Sequence, residues 1–232
     1  MRKIALLAVG LPLACYTLNA VASATWIDNR YAHTYAAEKN QYKIGAGHIF
    51  DNGAYLLVSS LYDLGQGGDQ FKSSFQEYEG GIPVPLSGGW SITPGGLTDI
   101  NSSGTTLSPY ISLDYKFNPI LSVSTRYRYN HQTHKTRDLS NDMDYNDSHQ
   151  IDLFVNYQAT KKLWLQFNPE FFINTNDYHA ANGNRTHWEP SIVARYRMNP
   201  HWMPYTEVAW LDRDANHDNQ VRIRLGIRYY LF

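Results

Sequence analysis

The chain ends on Gln220-Val221-Arg222-Ile223-Arg224-Leu225-Gly226-Ile227-Arg228-Tyr229-Tyr230-Leu231-Phe232. Val221, Ile223, Leu225, Ile227, Tyr229 and Leu231 fall in one phase; Arg222, Arg224, Gly226 and Arg228 fall in the other. A period of two makes a strand with one apolar face and one charged face. A soluble sheet would turn the charges to water. Here the alternation recurs along the chain, which is the pattern of a barrel in lipid with a polar lumen.

Leu121 to Asn130 is the cleanest interior example. Leu121, Val123, Thr125, Tyr127 and Tyr129 oppose Ser122, Ser124, Arg126, Arg128 and Asn130. Ile111 to Phe117, Gln150 to Tyr157 and Trp202 to Trp210 repeat it. Five short turns are expected at Asp51 to Gly53, Pro83 to Gly89, Asn118-Pro119, Ala159 to Lys162 and Met198 to His201. Six longer loops are expected at Ala32 to Asn40, Asp63 to Lys72, Leu97 to Thr106, Gln132 to Asp147, Thr175 to Arg185 and Asp212 to Asn219. These connections alternate and leave segments near the ~9–11 residues of a tilted spanning strand. The fold expected is all-β, a twelve-stranded antiparallel transmembrane β-barrel. The strand with Pro83 and Pro85 reads weakest, because proline cannot donate to a ladder.

The N-terminus fits export. Met1 to Lys3 is basic, Ile4 to Ala14 is apolar but too short to span, and Ala22-Ser23-Ala24 fits a cleavage site. Residues 1–24 read as a signal peptide and 25–232 as the barrel, in the bacterial outer membrane after passage through the periplasm. Cys15, the single cysteine, would leave with the leader, which excludes disulfide and thiol chemistry. Pro12, three residues earlier, argues against a lipidated cysteine. Net charge is −1 and becomes more negative once Arg2 and Lys3 are lost, so nucleic acid is not a partner. With 18 Tyr, 6 Trp and 9 Phe in a polar chain, aromatic girdles against lipid and lipopolysaccharide are expected.

If strand one pairs with strand twelve, Arg30 stands near Arg222 and Arg224, with Arg228 in the same phase. Arg126 and Arg128 lie half-way round and would face them across the pore. Lys43, Lys116 and Arg195 extend the two walls. Guanidinium groups bind carboxylates by paired hydrogen bonds, so such walls make a path for anions. Asp28, Glu77, Glu79, Asp114, Asp152, Glu170, Glu189 and Glu207 also fall inward, where they pair with the basic groups or neutralise the lumen. Phe154, Trp164 and Phe172 fall inward too, and either narrow the pore or give sugar rings a stacking surface.

Other chemistry has weak support. His179-Ala180-Ala181-Asn182-Gly183 is similar to the nucleophile motif of barrel phospholipases, but Ala181 has no hydroxyl. His217 beside Asp212, Asp214 and Asp218 sits in a loop, short of a protease-like constellation. His131 and His134 are three apart, and Asp142, Asp144 and Asn146 begin like a calcium loop that lacks its glycine and final acid. No cofactor, catalytic residue or dedicated metal is expected. A non-conducting structural barrel is the remaining alternative.

Several stretches resemble the oligogalacturonate-specific porin family of twelve-stranded outer-membrane channels for acidic sugars. They are Asp28 to Arg30, Ser108 to Ile111, Thr125 to Tyr129, Asp138 to Ser140 with Asp142-Met143, Met203 to Glu207 and Val221 to Tyr229. Pro94 to Leu97, Asn176 to Tyr178, Trp188-Glu189 and Leu211 to Arg213 look closest to its outer-membrane porin L branch. The resemblance implies passive diffusion of small hydrophilic solutes, best read as anionic sugars, guided by Arg30, Arg126, Arg128, Arg222 and Arg224. The family usually ends on an aromatic in the outward phase, where this chain has Leu231. Lys43, Gly45 and Gly47 give the second strand fewer basic groups than the resemblance implies. A monomer is expected, because no long loop clearly folds inward.

Overall fold

The computed structural model describes residues 23–65, 68–138, 141–213 and 218–231. The proposed leader up to residue 22, with Cys15, lies outside them, as do Leu139, Ser140, Asp214, Asn216 and His217.

Twelve strands form an antiparallel ring. They are β1 (Ala24–Thr34), β2 (Lys39–Ile49), β3 (Tyr55–Asp63), β4 (Lys72–Gly81, resuming at Val84–Pro85), β5 (Trp90–Asn101) and β6 (Thr105–Asn118). β7 (Leu121–Gln132), β8 (Ser148–Gln158), β9 (Leu163–Asn168 and Glu170–Asn174), β10 (Thr186–Trp188 and Ser191–Tyr196), β11 (Trp202–Arg213) and β12 (Asn219–Tyr230) follow. Each pairs with its chain neighbours, and β12 returns to β1, with Asp28 opposite Arg228 and Arg30 opposite Gly226. Closure leaves no exposed edge, which lipid requires because nothing there can satisfy a free N–H or C=O.

Prolines explain the interruptions. β9 breaks at Pro169 and β10 at Glu189-Pro190, yet pairing continues: Leu153 N–H donates to Pro169 O at 3.1 Å, and Trp210 N–H to Pro190 O at 3.0 Å. β4, expected to be weak, breaks at Ile82-Pro83, where Ile82 N–H still reaches Pro94 O at 3.1 Å. Proline removes a donor and keeps its acceptor, so the ring bends without opening.

The outward phase is apolar and bare. Leu56, Ile111, Ile192 and Leu225 are 46–58% exposed, a surface that is stable facing lipid tails. Near the short-turn end Trp90, Phe117 and Trp202 face outward; toward the other end Tyr31, Phe71 and Trp188 do so. These fit interfacial belts.

Two of the expected long loops are shorter than the sequence suggests. The Ala32 to Asn40 loop is only residues 35–38, because β1 runs on to Thr34 and β2 starts at Lys39. The Leu97 to Thr106 loop is only residues 102–104, closed by Asn101 N–H to Gly104 O at 2.9 Å. In both, polar residues that resemble loop are strand ends. The Gln132 to Asp147 loop carries a small hairpin, Lys135–Arg137 against Met143–Tyr145, so Asp144 pairs with Thr136 in a ladder and no calcium-loop turn forms. The Pro83 to Gly89 turn tightens to residues 86–89, since Val84 and Pro85 pair with Ile92 and Ser91.

Candidate functional site: the charged lumen

Alternation sends every second side chain inward, and the strand register decides which charges meet. On the β7–β8 wall Arg126 stands opposite Asp152 and Arg128 opposite Gln150. Arg126 Nε donates to Asp152 Oδ2 at 2.7 Å, and its Nη1 donates to Glu79 Oε1 on β4 at 3.2 Å. Its guanidinium lies 5.2 Å from the ring centroids of both Tyr110 and Phe154. Arg128 has no carboxylate at ion-pair distance among the described residues; Nε and Nη2 donate to Gln150 Oε1 at 3.1 and 2.5 Å. Gln150 and Asp152 are fully buried and joined at 2.7 Å.

On the other wall the chain ends meet. Arg228 Nε donates to Asp28 Oδ2 at 3.0 Å, and Tyr205 OH donates to Asp28 Oδ1 at 2.6 Å. Arg224 donates to Glu207 at 2.5 Å, while Arg222 stands 3.8 Å from Glu189 and 3.9 Å from Glu207. Lys43 donates to Glu77 at 2.6 Å. A cavity of about 160 Å³ opens between these groups, lined by Arg30, Lys43, Arg195 and Arg228 with Asp28, Glu77 and Glu207. Lys43, Arg228 and the three acids are held in ion pairs, but two cations are not. Among the described residues no carboxylate stands within 4.0 Å of Arg30 or Arg195. Arg195 donates to the neutral Gln166 at 3.0 Å, and Arg30 Nε is buried with no hydrogen-bond partner among the described residues.

Arg30 stands opposite Gly226, and Arg224 and Arg222 follow one and two lumen-facing positions further along the same wall, opposite Ala32 and Thr34. Lys116 is exposed near the short-turn end, beside a second cavity shared with Asn156 and Trp164. Trp164 also lies 6.0 Å from the Arg197 guanidinium.

A recurring inward pair went unread in the sequence. Trp26, Tyr55, Tyr110 and Tyr205 each stand opposite a lumen-facing glycine: Gly47, Gly81, Gly95 and Gly226. A Cβ on Gly47 would lie 2.2 Å from the Trp26 ring, and one on Gly226 would lie 2.2 Å from Tyr205. Each ring therefore lies over its neighbour strand and keeps the lumen open where a raised ring would fill it. Three of these rings meet lumen charges: Trp26 lies 4.8 Å from the Arg228 guanidinium, Tyr205 holds Asp28, and Tyr110 lies under Arg126. Tyr55 and Tyr110 hydrogen-bond through their hydroxyls. Only the pairing register shows this, because each residue alone is an ordinary strand residue.

At the long-loop end His179 to Gly183 forms a turn, with Gly183 N–H donating to Ala180 O at 2.9 Å. His131 bonds Asp147 at 3.0 Å, and among the described residues no three His, Cys, Asp or Glu are spaced to hold a metal.

Comparison with known proteins agrees with this architecture. A family model described as "Oligogalacturonate-specific porin protein (KdgM)" matches residues 18–231. The N-acetylneuraminic acid outer membrane channel protein NanC of Escherichia coli (strain K12) is 24% identical over 239 residues, with both chains covered in full. A solved NanC porin in a rhombohedral crystal form has a TM-score of 0.77 at 24% identity, over 88% of this chain and 98% of that one. The KdgM porin solved in complex with disordered oligogalacturonate has a TM-score of 0.67 at 20% identity, over the same shares. The closed ring, the bare apolar exterior and the family match agree: the chain belongs to the oligogalacturonate-specific porin (KdgM) family of outer-membrane β-barrel channels.

Proposed function

We propose that the barrel is a passive channel for small anionic sugars, and that Arg30, Arg128 and Arg195 are the groups that meet the sugar carboxylate. The carrying observation is the division of the lumen cations. Arg126, Arg224, Arg228 and Lys43 are held by acids, whereas Arg30 and Arg195 share one cavity and have no acid at contact distance among the described residues. A guanidinium bonded to a neutral amide, or to nothing, can offer its donors to a passing carboxylate without first breaking an ion pair. The paired cations then shape the path and contribute less to its field. The names of the relatives support the solute class: an N-acetylneuraminic acid channel and a porin solved with oligogalacturonate both handle acidic sugars. Downhill diffusion needs no cofactor and no covalent step. The barrel acts as a monomer surrounded by outer-membrane lipid and lipopolysaccharide, after removal of residues 1–24.

The test compares current block by galacturonate and by galactose, which differ by one carboxylate, in planar bilayers holding the refolded barrel. Stronger block by the acid that weakens in Arg30→Gln/Arg195→Gln supports the reading. Equal block by both sugars rejects it.

A further inference from the structure

At the long-loop end lies a cavity of about 250 Å³, separate from the arginine-lined one. The loop between β9 and β10 forms one side; the first residues of β10 and the end of β11 form the other. Asn146, Asn174, Asn182, His187, Glu189 and Asp212 supply its polar lining, with no lysine or arginine among the described residues that line it. Two atoms on this lining, Asn146 Oδ1 and His187 Nδ1, are buried without a hydrogen-bond partner among the described residues. A buried donor or acceptor left unmet is costly, and a ligand that meets it recovers that cost.

The acids here are already answered. Asp212 Oδ2 accepts from Asn182 Nδ2 at 2.9 Å and from Trp188 N–H at 3.4 Å. Glu189 stands 3.8 Å from Arg222. Both carboxylates are thus engaged by neighbouring donors, and no metal-binding set is present among the described residues. What it offers is hydrogen-bonding capacity of both signs beside an aromatic plane. His187 stacks on Phe172, with ring centroids 4.3 Å apart and planes 4° from parallel, which fixes the imidazole. The loop is also anchored: Thr175 N–H donates to Asp147 O at 2.8 Å, and Asn182 Nδ2 donates to Thr186 O at 3.0 Å.

Hydroxyl groups both donate and accept, so a polyhydroxyl ring suits this set better than an ion does. We propose that the cavity holds one pyranose ring through its hydroxyls, independently of any carboxylate, at the mouth of the channel. This rests on the sugar-channel reading above. It adds a docking site that sorts ring from non-ring solutes, while the lumen arginines sort acid from neutral.

Galactose alone is the probe, added to one side at a time of the full barrel in planar bilayers. The variants are Asn146→Ala/His187→Ala, which removes the unmet groups, and Ala181→Phe, which fills the cavity and deletes no hydrogen bond. The expected result is saturable current reduction from the long-loop side only, weakened about three- to tenfold in either variant, with sugar-free conductance unchanged. Arg30→Gln/Arg195→Gln should leave this response intact. The same galactose response in wild type and both cavity variants overturns the proposal, as does loss of the response in the arginine variant alone. If wild type shows no preference for acids yet the one-sided galactose response maps to the cavity, the carboxylate assignment fails and this site stands.

Discussion

Arg126 and Asp152 meet at 2.7 Å across the β7–β8 pair, and the Asp152 side chain is fully shielded from solvent. The arginine most prominent in the sequence is thereby the most committed in the structure, since Glu79 takes its other edge and Tyr110 and Phe154 flank its plane. Replacing it with glutamine leaves a buried carboxylate without its cation, a loss of about 3–5 kcal/mol. Arg126→Gln should unfold at markedly lower temperature, seen as the heat-dependent shift in gel mobility of the folded barrel. Asp152→Asn in the same chain should recover much of the loss.

Trp26 lies over Gly47, with no room for even a methyl group between them. Gly47→Ala should lift the indole away from Arg228 and cost about 1–3 kcal/mol by overpacking. The double change Gly47→Ala/Trp26→Ala should be less destabilised than the two single changes predict together. Thermal unfolding of the four proteins measures the coupling.

Asp147 is a hub for the β7–β8 connection. Its carboxylate accepts from Gln132 N–H at 2.7 Å, His131 at 3.0 Å and Tyr129 OH at 3.2 Å. Asp147→Ala should free the Lys135–Arg137 hairpin and leave the ring intact. Trypsin should then cut after Lys135 or Arg137 several times faster, with the barrel's unfolding temperature little changed.

Leu225 is 57% exposed on the outward face of β12. Leu225→Arg puts a charge against lipid and should cost about 2–4 kcal/mol if it lies near the midplane. The neighbouring lumen change Arg224→Lys keeps both the cation beside Glu207 and the lipid face, so the two should differ sharply in refolding yield into bilayers.

Much of this was legible in the chain. The alternation from Val221 to Tyr229 gives the terminal strand its faces, and Leu121 to Asn130 does the same for β7. Short turns at Asp51 to Gly53 and Asn118-Pro119 follow from turn chemistry. Strand ends were not legible, because His33, Thr34, Asp99 and Asn101 are polar yet still pair in the ladder. Pro169 and Pro190 interrupt strands that read as continuous, since backbone bonds beside them carry the pairing on. The phase of Arg30, Arg126 and Arg228 is plain in the sequence, but their partners are not. Those depend on register: one step separates an arginine opposite Asp28 from one opposite Gly226. The flat aromatic–glycine pairs are hidden for the same reason.

The central claim is that Arg30 and Arg195 set the anion preference while Arg126 holds the wall. Reversal potential under a potassium chloride gradient measures it directly. Wild type should prefer chloride, Arg30→Gln/Arg195→Gln should lose most of that preference, and Arg126→Gln refolded at low temperature should keep the larger part of it. A double variant with undiminished chloride preference would contradict the account.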